Sequence, residues 1–168
     1  ERSKRNPSLL IVVAAIGLLT LIGIFVWYGQ SSTPIRTDLG KGGQCASPAT
    51  PGSSWAGCDK RGIVMNGADM HSMKLTAVRM DGAKLTGANL SYANLERANL
   101  RGADLTRVLL VGANLDGADL TGADLAGADL SYATLKKADI EGARLDGVRL
   151  GKTTWVAGML CERMSECR

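Results

Sequence analysis

From residue 63 onward, large apolar side chains recur at every fifth position. Met65, Met70, Leu75, Met80, Leu85 and each fifth residue through Leu150 form eighteen consecutive matches without a slip in register. Two residues before each lies a second apolar series, mostly alanine, with Ile63, Met73, Val78, Val108 and Val148 as its larger members. The residue between the two is Asp, Asn, Lys, Arg or Thr almost everywhere, and the two that follow are rich in Gly, Ser, Thr and Asp.

A period of five fits neither the 3.6 of a helix nor the 2 of a continuous strand. It fits a short extended step followed by a turn. Residues two apart in an extended step point to one face, so each Ala and the Leu two positions later go inward together while the polar residue between them goes outward. The next two positions turn the chain, which Gly, Ser, Thr and Asp do at low cost. Gly82, Gly102, Gly122 and Gly142 recur at one such corner. Repetition of step and turn winds a coil whose stability comes from stacked neighbours and whose two ends need covers. Trp155 falls on the next inward position and is expected to close the C-terminal end, with Trp55 its counterpart at the other.

The pattern A-[DN]-L-x-x, as in Ala88-Asn89-Leu90, Ala103-Asp104-Leu105 and Ala118-Asp119-Leu120, closely resembles the pentapeptide-repeat family over Ile63 to about Trp155. That resemblance implies an all-β architecture, a right-handed quadrilateral β-helix with four pentapeptides per coil. About four and a half coils at roughly 4.8 Å per layer predict a rod of roughly 22 Å.

Residues 1–8 are a basic flank, and Leu9 to Tyr28 is a run of twenty residues without a charge. At about 1.5 Å per residue it matches a bilayer core of about 30 Å, and it is longer than the apolar region of a secretory signal. A single-pass transmembrane helix is predicted there, with Trp27 and Tyr28 in the interfacial belt. Arg2, Lys4 and Arg5 before it, against Arg36 and Lys41 after it, favour a cytoplasmic N-terminus and a periplasmic or lumenal C-terminal domain. Ala14, Gly17 and Thr20 lay small residues along one stripe of the span, which permits close packing against another helix. Residues 29–62 show no apolar periodicity and are read as an irregular linker and N-terminal cap, and residues 156–168 as a C-terminal cap. All four cysteines follow the apolar run in two close pairs, predicting disulfides Cys45–Cys58 and Cys161–Cys167 in an oxidising compartment. A shared zinc site would need C-x-x-C or Cys/His spacings, which do not occur.

Composition removes most chemistry. Aromatic residues are only 4% of the chain, so its buried surface must come from stacked aliphatic layers. His71 is the single histidine and occupies an outward position, which excludes a catalytic triad or a multi-histidine metal centre. The repeat stacks Asp104 on Asp124 and Asp119 on Asp139. Like charges so placed raise one another's pKa, and such a pair could hold a cation. There is no phosphate-binding glycine loop, and no catalytic residue, cofactor, metal or small-molecule substrate is expected.

The formal charge of +4 arises at the chain's ends. Ile63 to Trp155 contains eleven Lys or Arg and eleven Asp or Glu. Well-described members of the family protect a topoisomerase by mimicking DNA, which needs an acidic rod. This one is neutral, carries Lys74, Arg79, Lys84, Arg97, Arg101, Arg107, Lys136 and Lys137, and follows a membrane anchor, so neither DNA mimicry nor nucleic-acid binding is expected. The remaining reading is surface recognition. Val108-Leu109-Leu110-Val111 puts apolar Leu109 and Val111 outward, with Tyr92 and Tyr132 on the same flank, an exposed patch of the kind that marks a protein contact. The expected function is that of a membrane-anchored scaffold or docking protein, an accessory subunit of a larger respiratory or photosynthetic membrane complex, whose partners are other membrane or periplasmic subunits. A tether without a stable partner is the alternative.

Overall fold

The computed structural model describes residues 42–155 and the backbone of residues 160–161. The chain winds as a four-sided coil in which every fifth residue, from Ser54 to Thr134, pairs in parallel with the one twenty positions later. The ladder Ser54–Lys74–Asn94–Asn114–Thr134–Thr154 runs the length of one side, and equivalent ladders pass through Asp119, Asp124 and Asp129 on the other three. Its five twenty-residue steps correspond to a rod of about 24 Å.

Each corner is a four-residue turn. Ala83 N–H donates to the Met80 carbonyl at 3.0 Å, with Gly82 at φ 63° in the third position, the geometry of a type II turn. The same corner position is filled by non-glycine residues at Tyr92 (φ 57°) and Tyr132 (φ 60°). A left-handed conformation costs such residues about 1–2 kcal/mol each. It persists because bonds on both sides fix the backbone: Tyr92 N–H donates to the Val111 carbonyl at 2.9 Å, and Ala93 N–H to the Leu90 carbonyl at 3.1 Å.

The side between corners explains the Asp or Asn that precedes each inward leucine. Its Oδ1 accepts the backbone N–H two residues on, as in Asn89 to Ser91 (3.1 Å), Asp104 to Thr106 (3.1 Å), Asn114 to Asp116 (3.0 Å) and Asp129 to Ser131 (3.0 Å). A short side chain with an acceptor at the second carbon makes this local bond well.

Inside, the fifth-residue series from Met70 to Leu135 and its partner series from Met73 to Ala133 are at most 1% exposed. Each buried leucine contributes roughly 1.5–3 kcal/mol. Burial falls off at Ile140, Ala143, Leu145 and Val148, which pack on the core only in part, with no further full coil beyond them among the described residues. Trp155, 3% exposed, occupies the inward slot as predicted, and Thr153 Oγ1 donates to the Leu130 carbonyl at 2.6 Å. Beyond it β1 (Thr153–Thr154) pairs antiparallel with β2 (Leu160–Cys161).

The boundary at residue 63 is corrected. Coiling already starts near Gly52, whose N–H bonds the His71 carbonyl, and Trp55 and Cys58 fill the inward positions of a first coil at 2% and 1% exposure. Part of what reads as linker is therefore repeat. Lys60 hid it by standing where an apolar residue belongs. Its Nζ lies 4.0 Å over the Trp55 ring and donates to the Cys45 carbonyl at 2.7 Å, so the charge sits at the rod's end and not in its core. Preceding this coil is a single helical turn, α1 (Gly42–Cys45).

The Cys45–Cys58 disulfide is present, with a Cα–Cα distance of 5.5 Å. The Cys161–Cys167 pair lies outside the described side chains, and the apolar run from Leu9 to Tyr28, including Ala14, Gly17 and Thr20, lies outside the described residues. Among the described residues no helix is long and apolar enough to cross a membrane.

Candidate functional site: an apolar interruption on a polar rod

Most of the rod's surface is closed by polar pairing. Arg101 reaches Asp119 at 3.3 Å, Arg144 bridges Asp124 at 3.2 Å and Asp146 at 2.7 Å, and Arg149 meets Asp129 at 3.3 Å. At Asp104 and Asp119 the expectation of raised pKa values is corrected. Asp104 is held below the usual carboxylate range by hydrogen bonds from the Thr106 hydroxyl (2.6 Å), from its backbone N–H and from the Thr86 hydroxyl (2.8 Å). At Asp119 burial pushes upward, but the Thr121 hydroxyl and N–H and the Arg101 guanidinium outweigh it and the net shift is down. Donors bound to the charged form decide the sign here, ahead of like-charge repulsion one layer away. Among the described residues no group of three or more His, Cys, Asp and Glu side chains could hold a metal ion. His71 is outward as expected, and its Nδ1 lies 2.9 Å from Asp69 Oδ1.

At the first coil, Asp59 takes the Arg61 side chain in a two-pronged contact at 2.6–3.1 Å, with Arg79 at 3.7 Å, and its pKa falls to about 2. The folded value lies below the ordinary 3.8, so the stabilisation is fully present above pH 3.8 and disappears as pH falls toward 2. Carboxyl titration by NMR should find Asp59 ionised at pH 3. Asp59→Asn should remove the part of the acid loosening of residues 52–62 that develops between those values, leaving the central coils as they were.

The flank around Leu109 is different. Leu109 is 39% exposed, Tyr92 68% and Tyr132 60%, while Val111 is half-buried. Leu109 stacks between Asn89 and Asp129. The sequence reading put the tyrosines on the same flank with Leu109 and Val111 between them, but they do not stand directly above and below Val111. The twenty-residue repeat puts Ser91 and Ser131 in that column, and Tyr92 and Tyr132 at the adjoining corner, in the column of Gly112. There the Tyr92 ring lies over Gly112, so close that a Cβ on Gly112 would sit 2.7 Å from Tyr92 Cε1. Glycine serves twice at this position, through its positive φ of 65° and through the space it leaves for the ring. Tyr92, Leu109 and Val111 thus form an apolar strip across one side, and Tyr132 is a further aromatic one layer beyond Gly112, with Lys152 Nζ 5.9 Å from its ring centroid.

The hydrogen-bond pattern marks Leu109 further. From Asn89 to Asp129 every outward residue other than Leu109 accepts the N–H two positions ahead. Leucine cannot, and the Val111 N–H goes without that local acceptor. Sequence reasoning missed one related position. Val64, in the triplet Ile63-Val64-Met65, is 61% exposed, and three apolar residues in a row was the same signal that flagged residues 108–110.

Residues 79–117 and 109–147 match the family of pentapeptide repeats, in eight copies. No match was found among curated protein sequences. Among solved structures, HetL from the cyanobacterium Nostoc sp. strain PCC 7120, a pentapeptide-repeat protein involved in heterocyst differentiation regulation, is similar at 29% identity and a TM-score of 0.54. That match covers 66% of this chain and 52% of HetL, so the chain spans about half the length of that relative. QnrB1, a plasmid-mediated fluoroquinolone resistance protein, is similar at 18% identity and a TM-score of 0.53, covering 61% of this chain and 55% of that one, a likeness of fold alone. With the five-residue register, the twenty-residue ladders and these matches, the chain belongs to the pentapeptide-repeat family and folds as that family's right-handed quadrilateral β-helix.

Proposed function

We propose that this chain is a non-catalytic docking subunit, held at a membrane by the apolar run Leu9 to Tyr28, that presents its β-helix on the periplasmic or lumenal side to other subunits of a membrane complex, of the respiratory or photosynthetic kind. One observation carries the reading. At Leu109 the rod forgoes a local hydrogen bond that its central neighbours make, of a kind worth about 0.5–1.5 kcal/mol, and exposes apolar surface in its place. The rod's own core gains nothing from this, since Val108 and Leu110 already fill the inward slots. Burial of Leu109 and Val111 against a partner would recover roughly 1.5–3 kcal/mol per fully covered side chain. DNA mimicry stays disfavoured by the rod's balanced charge, and the likeness to QnrB1 concerns fold alone.

The test restores the repeat. Leu109→Asn with Val111→Ser returns the local acceptor and polar surface, so the isolated domain should gain up to about 1 kcal/mol of stability in urea denaturation. Retention of the anchored protein in its detergent-solubilised complex should fall, while a control at the Gly102 and Gly122 corner has little effect. Unchanged stoichiometry in the double variant, with release on deletion of the apolar run alone, would move the contact from this flank to the membrane segment.

A further inference from the structure

The N-terminal end of the rod is closed by residues 44–49, and its attachment differs from everything that follows. From Gly52 onward the chain is held by backbone ladders between coils. Residues 44–49 are tied to the first coil by a set of side-chain bonds. Cys45 is disulfide-bonded to Cys58, Lys60 Nζ donates to the Cys45 carbonyl at 2.7 Å, Trp55 Nε1 donates to the Ser47 carbonyl at 2.9 Å, and Ser53 Oγ donates to the Pro48 carbonyl at 3.4 Å. Cys45 and Ala49 pack against the core, and beneath this segment Trp55 is 2% exposed.

The two sulfurs of the bridge are unequally placed. Cys58 is 1% exposed and belongs to the core, whereas Cys45 is only partly covered. Of the two residues Cys45 is thus the less enclosed, and thiol–disulfide exchange depends on which sulfur is reachable. The arrangement is a short cover with one covalent tie to the first coil.

We infer that Cys45–Cys58 is the latch of a redox-sensitive lid over the N-terminal end of the β-helix. A dithiol reductant opens it. One of its thiolates attacks the Cys45 sulfur and forms a mixed disulfide, and Cys58 leaves as a thiolate that takes up a proton. The second reductant thiol then closes the reductant's own disulfide and releases Cys45 as a thiol, so two electrons pass from the reductant to the protein. With the latch open, residues 44–49 keep their hydrogen bonds to Lys60 and Trp55 but lose the constraint that makes them persistent. Trp55 and the outer edge of the first coil then become intermittently accessible. The coils beyond are held by their ladders and stay closed. This inference is independent of the docking flank.

Hydrogen exchange with mass spectrometry on the full detergent-solubilised chain tests it, before and after millimolar dithiothreitol, with alkylation to count the Cys45 and Cys58 thiols. Reduction should raise exchange in peptides covering residues 44–60 by about tenfold or more and leave residues 80–135 unchanged. Cys45→Ser with Cys58→Ser should show the raised exchange without reductant. The lid is overturned if Cys45 and Cys58 stay bonded in the native protein, if they are reduced with no change in residues 44–60, or if exchange rises along the whole rod.

Discussion

Truncation of one inward leucine at the centre of the rod, Leu110→Ala, is expected to cost about 2–5 kcal/mol, whereas Leu109→Ala next to it should change stability by roughly 0.5 kcal/mol or less. The contrast follows from one step of extended chain. Leu110 is 0% exposed and Leu109 39%. Each layer of the solenoid receives four such side chains and touches only the layers above and below, so the cavity left by an alanine cannot be filled from elsewhere. In a stacked repeat the damage is also local, since stability is a sum over coils and their interfaces. Urea denaturation of the two variants, read together with hydrogen exchange at residues 85–135, measures both effects. Equal costs at the two positions would contradict the inward assignment of the fifth-residue series.

Loss of the aromatic plug should be nearly as severe. Trp155→Ala is expected to destabilise the C-terminal coil by about 3–5 kcal/mol, the usual range for a buried tryptophan. Trp155 covers the end of the column that runs through Leu115 and Leu135, and Thr154 carries the final rung of that side's ladder to Thr134. Of the other columns' last described members, Leu150 is 3% exposed but Ile140 and Leu145 are only partly buried, so the described end has little redundancy. Exchange should rise first in residues 138–155 and reach residues 85–120 only at higher denaturant. Simultaneous loss of protection along the whole rod would mean that the coils unfold as one unit and that the plug has no local role.

The chain's sequence by itself determined the repeat, its phase and its inward and outward sets, because a five-residue period leaves each side chain a single direction once Ala and Leu share a face. Val108 and Leu110 go in and Leu109 goes out on that argument alone, and Trp155 is placed by the same count. The start of the coil was not legible. Lys60 at an inward position and Cys58 in an alanine slot broke the apolar series, and only the end of a rod, where an ammonium can reach an aromatic face and a backbone carbonyl, tolerates such a residue.

The signs of the carboxylate shifts were equally out of reach, since stacking placed Asp104 beside Asp124 but only the folded backbone aims the Thr106 N–H and the Thr86 hydroxyl at Asp104. The tyrosines show the same division. Twenty-residue arithmetic puts Tyr92, Gly112 and Tyr132 in one column, while the lean of the Tyr92 ring onto the bare Cα of Gly112 depends on a left-handed corner and the absence of a Cβ there. Direction along a strand is a local property and can be read from order alone. What a side chain meets once it points outward depends on the neighbouring coil, and that neighbour exists only in the folded stack.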